Sequence, residues 1–115
     1  MDTTPKLLQG VFFFKGAGLE KPVPLDAALN YKVPADKSAQ LIYFRAGNSC
    51  PELIYLSLMR DGALMRHFPV GAKADSHVSL AVVEDIPPDT KLEVLIAAPM
   101  GAAGAVVVDI GLIEI

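Results

Sequence analysis

The sequence predicts an all-β fold, a single antiparallel β-sandwich of seven to eight strands in jelly-roll or Greek-key order, with few or no helices. Short runs rich in Val, Ile, Leu, Phe and Tyr alternate with breaks of Gly, Pro, Asp and Asn. These breaks recur at the spacing typical of sandwiches and barrels. The length of 115 residues suits one domain spanning 1–115, of which we expect residues 1–5 to be loose.

Eight segments have the composition of strands. They are 7–15, 25–32, 39–46, 52–60, 63–70, 76–84, 90–98 and 104–115. In the overlapping stretch "PLDAALNY", Pro24 and Asp26 are also suited to starting a single helical turn. We interpret that segment as a strand or as irregular chain.

Three of these segments alternate as a strand with one buried face does. The side chains predicted to face the core are Val78, Leu80, Val82, Leu92, Val94, Ile96, Val106, Val108, Ile110 and Leu112. The stretch "VFFFK" differs, because Phe12 and Phe14 share one face while Val11 and Phe13 share the other. Both faces of this first strand are therefore predicted to be apolar.

The stretch "LMRDGALMRHF" at 58–68 predicts a hairpin, because Asp-Gly between two apolar runs favours a two-residue turn. With Asp61 and Gly62 at the turn, Met59 is expected opposite Leu64 and Tyr55 opposite Phe68. The two methionines then lie on opposite faces and cannot share a metal. The side chains of one predicted face are Tyr55, Met59, Leu64, Arg66 and Phe68.

Both faces of this hairpin are predicted to be largely apolar, so one of them needs a second cover. We expect a non-catalytic binding and assembly module that self-associates through an apolar sheet face. A protein partner or a small polar ligand is the further expected partner. The predicted oligomer interface consists of Phe13, Tyr55, Met59, Leu64 and Phe68.

A lectin-like or anion-binding module is the first alternative. Polar side chains at strand ends, such as Arg45 beside Asn48, suit a carboxylate or phosphate, and Asn48 is suited to a left-handed turn. The predicted ligand-binding residues are Arg45, Asn48, Arg66 and His67. The absence of Trp and the count of only three Tyr argue against sugars, and argue less against anions.

A metal- or cysteine-dependent enzyme is the second alternative, built on Cys50 with His67 or His77. These residues show no zinc-ligand spacing, and "GNSCPEL" matches no catalytic signature. We therefore predict no catalytic residues, no metal and no cofactor.

The composition excludes other partners. A net charge of −3 argues against nucleic acid, and no apolar run is long enough to cross a membrane. With one cysteine and no signal peptide, the chain is expected to be cytoplasmic.

The succession of short strands resembles jelly-roll modules such as trimeric ligand domains and small lectins. No residue motif of either group is present, so no site residue is carried over.

Overall fold

The computed structural model describes residues 3–79 and 84–115, which form ten strands and one 3-10 turn (Ala27–Leu29). The strands are β1 (Thr4–Lys15), β2 (Val23–Pro24), β3 (Tyr31–Lys32), β4 (Ala39–Asn48), β5 (Ile54–Arg60), β6 (Ala63–Val70), β7 (Asp75–Ser79), β8 (Asp85–Ile86), β9 (Lys91–Ala97) and β10 (Ala103–Glu114). None of the described segments forms a helix of the length and hydropathy that a membrane crossing requires.

The strands form two antiparallel sheets. The first has the order β1-β10-β4-β7, with β8 also on β4, and the second has the order β2-β9-β5-β6, with β3 also on β9. Because β2 and β3 pair with the same strand, they act as one interrupted strand. Counted this way, and with β8 set aside, the sheets follow the order 1-8-3-6 and 2-7-4-5 of an eight-stranded jelly roll. The predicted fold class is confirmed.

The core lies between the two sheets. The inward positions of β9 and β10 alternate as predicted, and Leu92, Val94, Val106 and Ile110 are all buried. The ring of Phe44 on β4 stacks on the ring of Phe68 on β6, with centroids 3.9 Å apart and planes 3° apart. This stack joins the first sheet to the second at the centre of the sandwich.

Segment 25–32 is irregular and does not form one strand. The single turn that Asp26 is suited to starting is present as the 3-10 turn, where Asp26 Oδ1 accepts a hydrogen bond from the Ala28 N–H (2.8 Å). At the N-terminus β1 begins at Thr4, so residues 4 and 5 lie in a strand. Leu80 and Val82, predicted to face the core, lie outside the described residues.

The hairpin turn at Asp61-Gly62 is confirmed. Asp61 and Gly62 have φ values of 49° and 81°, as a type I′ turn requires, and Met59 lies opposite Leu64. The register then shifts between Leu58 and Met59, which leaves Met65 as the extra residue of a bulge.

The bulge overturns the predicted faces beyond it. Phe68 lies opposite Leu56 instead of Tyr55, and His67 lies opposite Ser57. A slip of one residue exchanges the two faces of a strand. Phe68 is therefore only 2% exposed and belongs to the core, while His67 faces outward beside Ser57.

A buried carboxyl group ties β10 to β3. Glu114 is 4% exposed, and the Tyr31 hydroxyl donates a hydrogen bond to its Oε2. Burial, together with this hydrogen bond to Glu114, raises the pKa of Tyr31 well above its ordinary value of 10.0.

Stability is expected to fall as the pH rises above about 10, the ordinary tyrosine pKa. In that range the unfolded chain loses the Tyr31 proton while the folded chain keeps it, so alkali favours unfolding. Urea unfolding at a series of alkaline pH values measures the decline. The decline should be shallower in Tyr31→Phe, and equal slopes in the two proteins would contradict this assignment.

Candidate ligand-binding face

The outer face of the first sheet carries a row of polar side chains that crosses four strands. Gln9 on β1 lies opposite Asp109 on β10, Asp109 lies opposite Arg45 on β4, and Arg45 lies opposite His77 on β7. Side chains at opposite positions of an antiparallel sheet point to the same face. We call Gln9, Asp109, Arg45 and His77 the polar row.

Asp109 is the centre of this row. Its Oδ1 accepts hydrogen bonds from Gln9 Nε2 (3.0 Å) and from the Tyr43 hydroxyl (2.9 Å), and its Oδ2 lies 3.8 Å from Arg45 Nη1. The Asp109 side chain is 20% exposed, whereas that of Arg45 is 57% exposed. The carboxylate is therefore held in one orientation, while the guanidinium keeps donors that face solvent.

Tyr43 joins the polar row because a glycine lies beneath its ring. Tyr43 is opposite Gly111 on β10, and a side chain at Gly111 would occupy the space of the ring. The ring also meets the His77 ring edge-on, with centroids 6.0 Å apart. The hydrogen bond to Asp109 raises the pKa of Tyr43, so its hydroxyl remains a donor across the neutral range.

A groove runs beside the polar row. It has a volume of about 200 Å³ and is lined by Arg45, Ala46, Gly47, Asp75, Ser76, His77, Val107 and Asp109. A second concavity continues from it along the strands, since both share Gly47, Asp75 and Val107. Space above Gly47 is open, because a side chain there would meet nothing within 4 Å.

Exposed apolar side chains flank the groove on the β1 side. Phe13 is 84% exposed, Val11 60% and Val107 51%. Val11 lies opposite Val107, and Phe13 lies opposite Ala105 on the same face. The prediction that the first strand is apolar on both faces is confirmed, since Phe12 and Phe14 pack against the core.

The structure does not assemble the four predicted ligand-binding residues into one site. Only Arg45 lies in the groove. Asn48 is 5% exposed, and its side chain bonds the backbone at Glu52, Gly71 and Cys50.

The other two predicted ligand residues, Arg66 and His67, lie on β6 in the opposite sheet. The His67 ring is engaged there, because its Nδ1 lies 2.9 Å from Ser57 Oγ. Asn48 is not left-handed either, whereas Lys73 in the neighbouring turn has a φ of 50°.

The five predicted interface residues do not form one surface. Phe13 lies on the outer face of the first sheet, whereas Tyr55, Met59 and Leu64 belong to the second sheet. Phe68 is in the core and cannot meet another chain. The outer face of the hairpin is also more polar than predicted, because the bulge places His67 there.

Sequence reasoning missed Gln9, Tyr43, His77 and Asp109 as one group. Gln9 and Asp109 lie 100 positions apart, and only the pairing of β1 with β10 brings them together. The sequence contained one signal for this group. Asp109 is the single charged residue of "AVVVDIGL", and it lies at an outward position of that strand.

A larger concavity of about 420 Å³ lies in the second sheet at the hairpin turn. Of the two carboxylates that line it, that of Asp61 accepts a hydrogen bond at Oδ1 from the Lys91 N–H (2.9 Å). The hydroxyl of Tyr31, which also lines it, donates to Glu114. These polar groups tie the turn to the sheet. We favour the groove on the first sheet because it adds to an oriented carboxylate the solvent-facing guanidinium of Arg45, whose side chain is 57% exposed.

Cys50 is 1% exposed and lies in the connection after β4. A reactive thiol needs access to solvent and substrate. Among residues 3–79 and 84–115, no three His, Cys, Asp or Glu side chains are grouped as metal ligands would be.

The sequence matches no family model and no curated protein. Solved structures with a similar fold include the CBM36-1 domain of a multidomain xylanase from the hindgut metagenome of Trinervitermes trinervoides, at 10% identity and TM-score 0.58 over 96% of each chain. A family 35 carbohydrate binding module from Clostridium thermocellum matches at 11% identity and TM-score 0.54, over 95% of this chain and 97% of that one. At these identities the likeness shows the β-sandwich fold alone.

Proposed function

We propose that this protein is a non-catalytic binding module that holds a saccharide in the groove beside the polar row. The observation that carries the proposal is the oriented Asp109 carboxylate next to the solvent-facing Arg45 guanidinium, in the groove that also has open space at Gly47. The two β-sandwiches of similar fold are named as carbohydrate-binding modules, which supports the same ligand class.

The chemistry of the groove suits a hydroxylated ligand. A sugar ring presents hydroxyl groups that both donate and accept hydrogen bonds, and C–H groups that need an apolar surface. The groove offers donors on Arg45, acceptors on Asp75 and Asp109, and an apolar side at Val107. Because Asp109 is already oriented by its neighbours, binding costs little ordering of that side chain.

The charge balance favours a neutral sugar over an anion. Two carboxylates, those of Asp75 and Asp109, line the groove together with one guanidinium, that of Arg45. An anion would approach both carboxylates, and Arg45 is already partly neutralised by Asp109 at 3.8 Å. This argues against the anion-binding alternative.

Aromatic side chains remain available despite the absence of Trp. Phe13 lies four residues along the sheet from the polar row, which is roughly 13 Å at the rise of a strand. Arg45 lies two strand spacings of about 4.8 Å from β1, so the diagonal from Arg45 to Phe13 is roughly 16 Å. An oligosaccharide of three or more units would be needed to reach from Arg45 to the exposed Phe13 ring.

The test is calorimetric titration of neutral and acidic oligosaccharides, chosen after affinity electrophoresis in polysaccharide gels. Arg45→Ala should weaken binding about tenfold or more, because a hydrogen bond to a charged group contributes about 1.5–3 kcal/mol. Gly47→Val should abolish binding, because it places a branched side chain in the groove at a position where a Cβ atom meets nothing within 4 Å.

Leu64→Ala is the matched control, because Leu64 is exposed on the opposite sheet. It should bind as the wild type does. The proposal fails if no saccharide binds at millimolar concentration, or if binding persists unchanged in both groove variants.

A further inference from the structure

The sandwich has open sheet edges, and most of them carry features that prevent pairing with another chain. β6 is bulged and contains Pro69, while β2 and β3 have two residues each. β7 begins at Asp75, and five of its residues are described. Bulges, prolines, charges and short length are the usual protections of a sheet edge.

β1 is the edge whose central part lacks these features, because Pro5 and the two lysines of this strand lie near its ends. It is twelve residues long, and within residues 3–79 and 84–115 it pairs with β10 alone. The 3-10 turn contacts β1, but no backbone hydrogen bond joins the two. Its charged residues are Lys6 and Lys15 near the ends, and residues 7–14 between them are uncharged.

We propose that two copies of this chain pair antiparallel through the free edges of β1, on a two-fold axis at Val11. The outer faces of the two sheets coincide only in a register that pairs one residue with its own copy across the axis. Residues opposite each other then point to the same face in both chains. Two five-stranded sheets would then join into one continuous sheet. The inference does not depend on saccharide binding.

We place the axis at Val11 because of the residue pairs that this register forms between the two copies. Val11 meets Val11 of the second copy, and Phe13 meets Gln9 of the second copy on the outer face. On the inner face Phe12 lies opposite Gly10 of the second copy. Within each chain the Phe12 ring already covers Gly10, so the two Phe12 rings would meet across the axis.

The occupant is a second copy because β1 complements itself. In this register Lys15 lies opposite Leu7 of the second copy, so no two lysines oppose each other. The pairing places a side chain of the second copy beside Leu7, Val11 and Phe13, which are 57%, 60% and 84% exposed in the single chain. A C2 contact of this kind is closed, so it ends at two copies.

The test is the native mass of the untagged protein with three variants. The wild type should have twice the 12.2 kDa mass of one chain. Val11→Lys and Val11→Glu should each be monomeric, since like charges would meet on the axis, and their equimolar mixture should regain the doubled mass. Val11 is 60% exposed, so both variants should fold, which circular dichroism verifies.

Val107→Lys is the control that separates the edge from the face. Val107 lies opposite Val11 and is 51% exposed on the same face, but β10 is not an edge strand. It should keep the doubled mass. A monomeric wild type, a dimeric Val11→Lys, a mixture without rescue, or a monomeric Val107→Lys would each overturn the proposal.

Cross-linking gives a second measurement. Val11→Cys should form a disulfide between two copies on mild oxidation, because directly opposite residues lie within disulfide reach. Cys50 is 1% exposed and should form none, so the wild type is the control. Absence of the cross-link in Val11→Cys would exclude the Val11 axis.

Discussion

Replacing Phe68 with alanine is expected to lower the free energy of unfolding by about 3–5 kcal/mol, the usual cost of removing a buried aromatic ring. Phe68 is 2% exposed, and its ring lies parallel to the ring of Phe44 at a centroid distance of 3.9 Å. The two rings belong to different sheets. Loss of the Phe68 ring would therefore leave a cavity between the two sheets that neither sheet alone can close.

Urea denaturation followed by circular dichroism measures this effect. Leu64→Ala, on the same strand but 51% exposed, is the matched control and should change stability by about 0.5 kcal/mol or less. Phe68→Asp should fail to fold, because it buries an unpaired charge, whereas Leu64→Asp should fold. A folded, stable Phe68→Asp would contradict the core assignment.

The position of Phe68 shows where sequence reasoning stops. Asp61-Gly62 predicted the turn, and the first two residue pairs beside it were correct. The bulge that follows has no signature in "ALMRHF", since its extra residue is Met65, an ordinary strand residue. The bulge improves core packing, because it turns the large Phe68 side chain inward, where its ring stacks on Phe44 of a distant strand.

Alternation predicted the inward faces of β9 and β10 well, because each of these strands has one clean apolar stripe. Such a pattern needs only local information. The candidate site is different: Arg45 was identified as a polar strand residue, but its partner Asp109 was not. That pair depends on β10 lying between β1 and β4, which is a property of the whole topology.

Replacing Asn48 with alanine is expected to lower the free energy of unfolding by about 3 kcal/mol, since each buried polar group left unpaired costs about 1–3 kcal/mol. The Asn48 Nδ2 donates to the carbonyl oxygens of Glu52 (2.9 Å) and Gly71 (3.1 Å), and its Oδ1 accepts from the Cys50 N–H (2.9 Å). One side chain thereby joins the connection after β4 to the turn after β6.

Asn48→Asp separates this structural role from the ligand-binding role predicted from sequence. It keeps the shape and the acceptor for the Cys50 N–H, but it removes both donors and faces two carbonyl oxygens with a carboxylate. It should therefore destabilise the fold at neutral pH, as alanine does. Because Asn48 also lines the continuation of the groove, saccharide affinity must be measured well below the unfolding midpoint. If the Asn48 variants fold with wild-type stability and lose only ligand affinity, Asn48 belongs to the binding site. If they unfold at lower urea concentrations than the wild type, Asn48 belongs to the scaffold that holds β4 and Arg45.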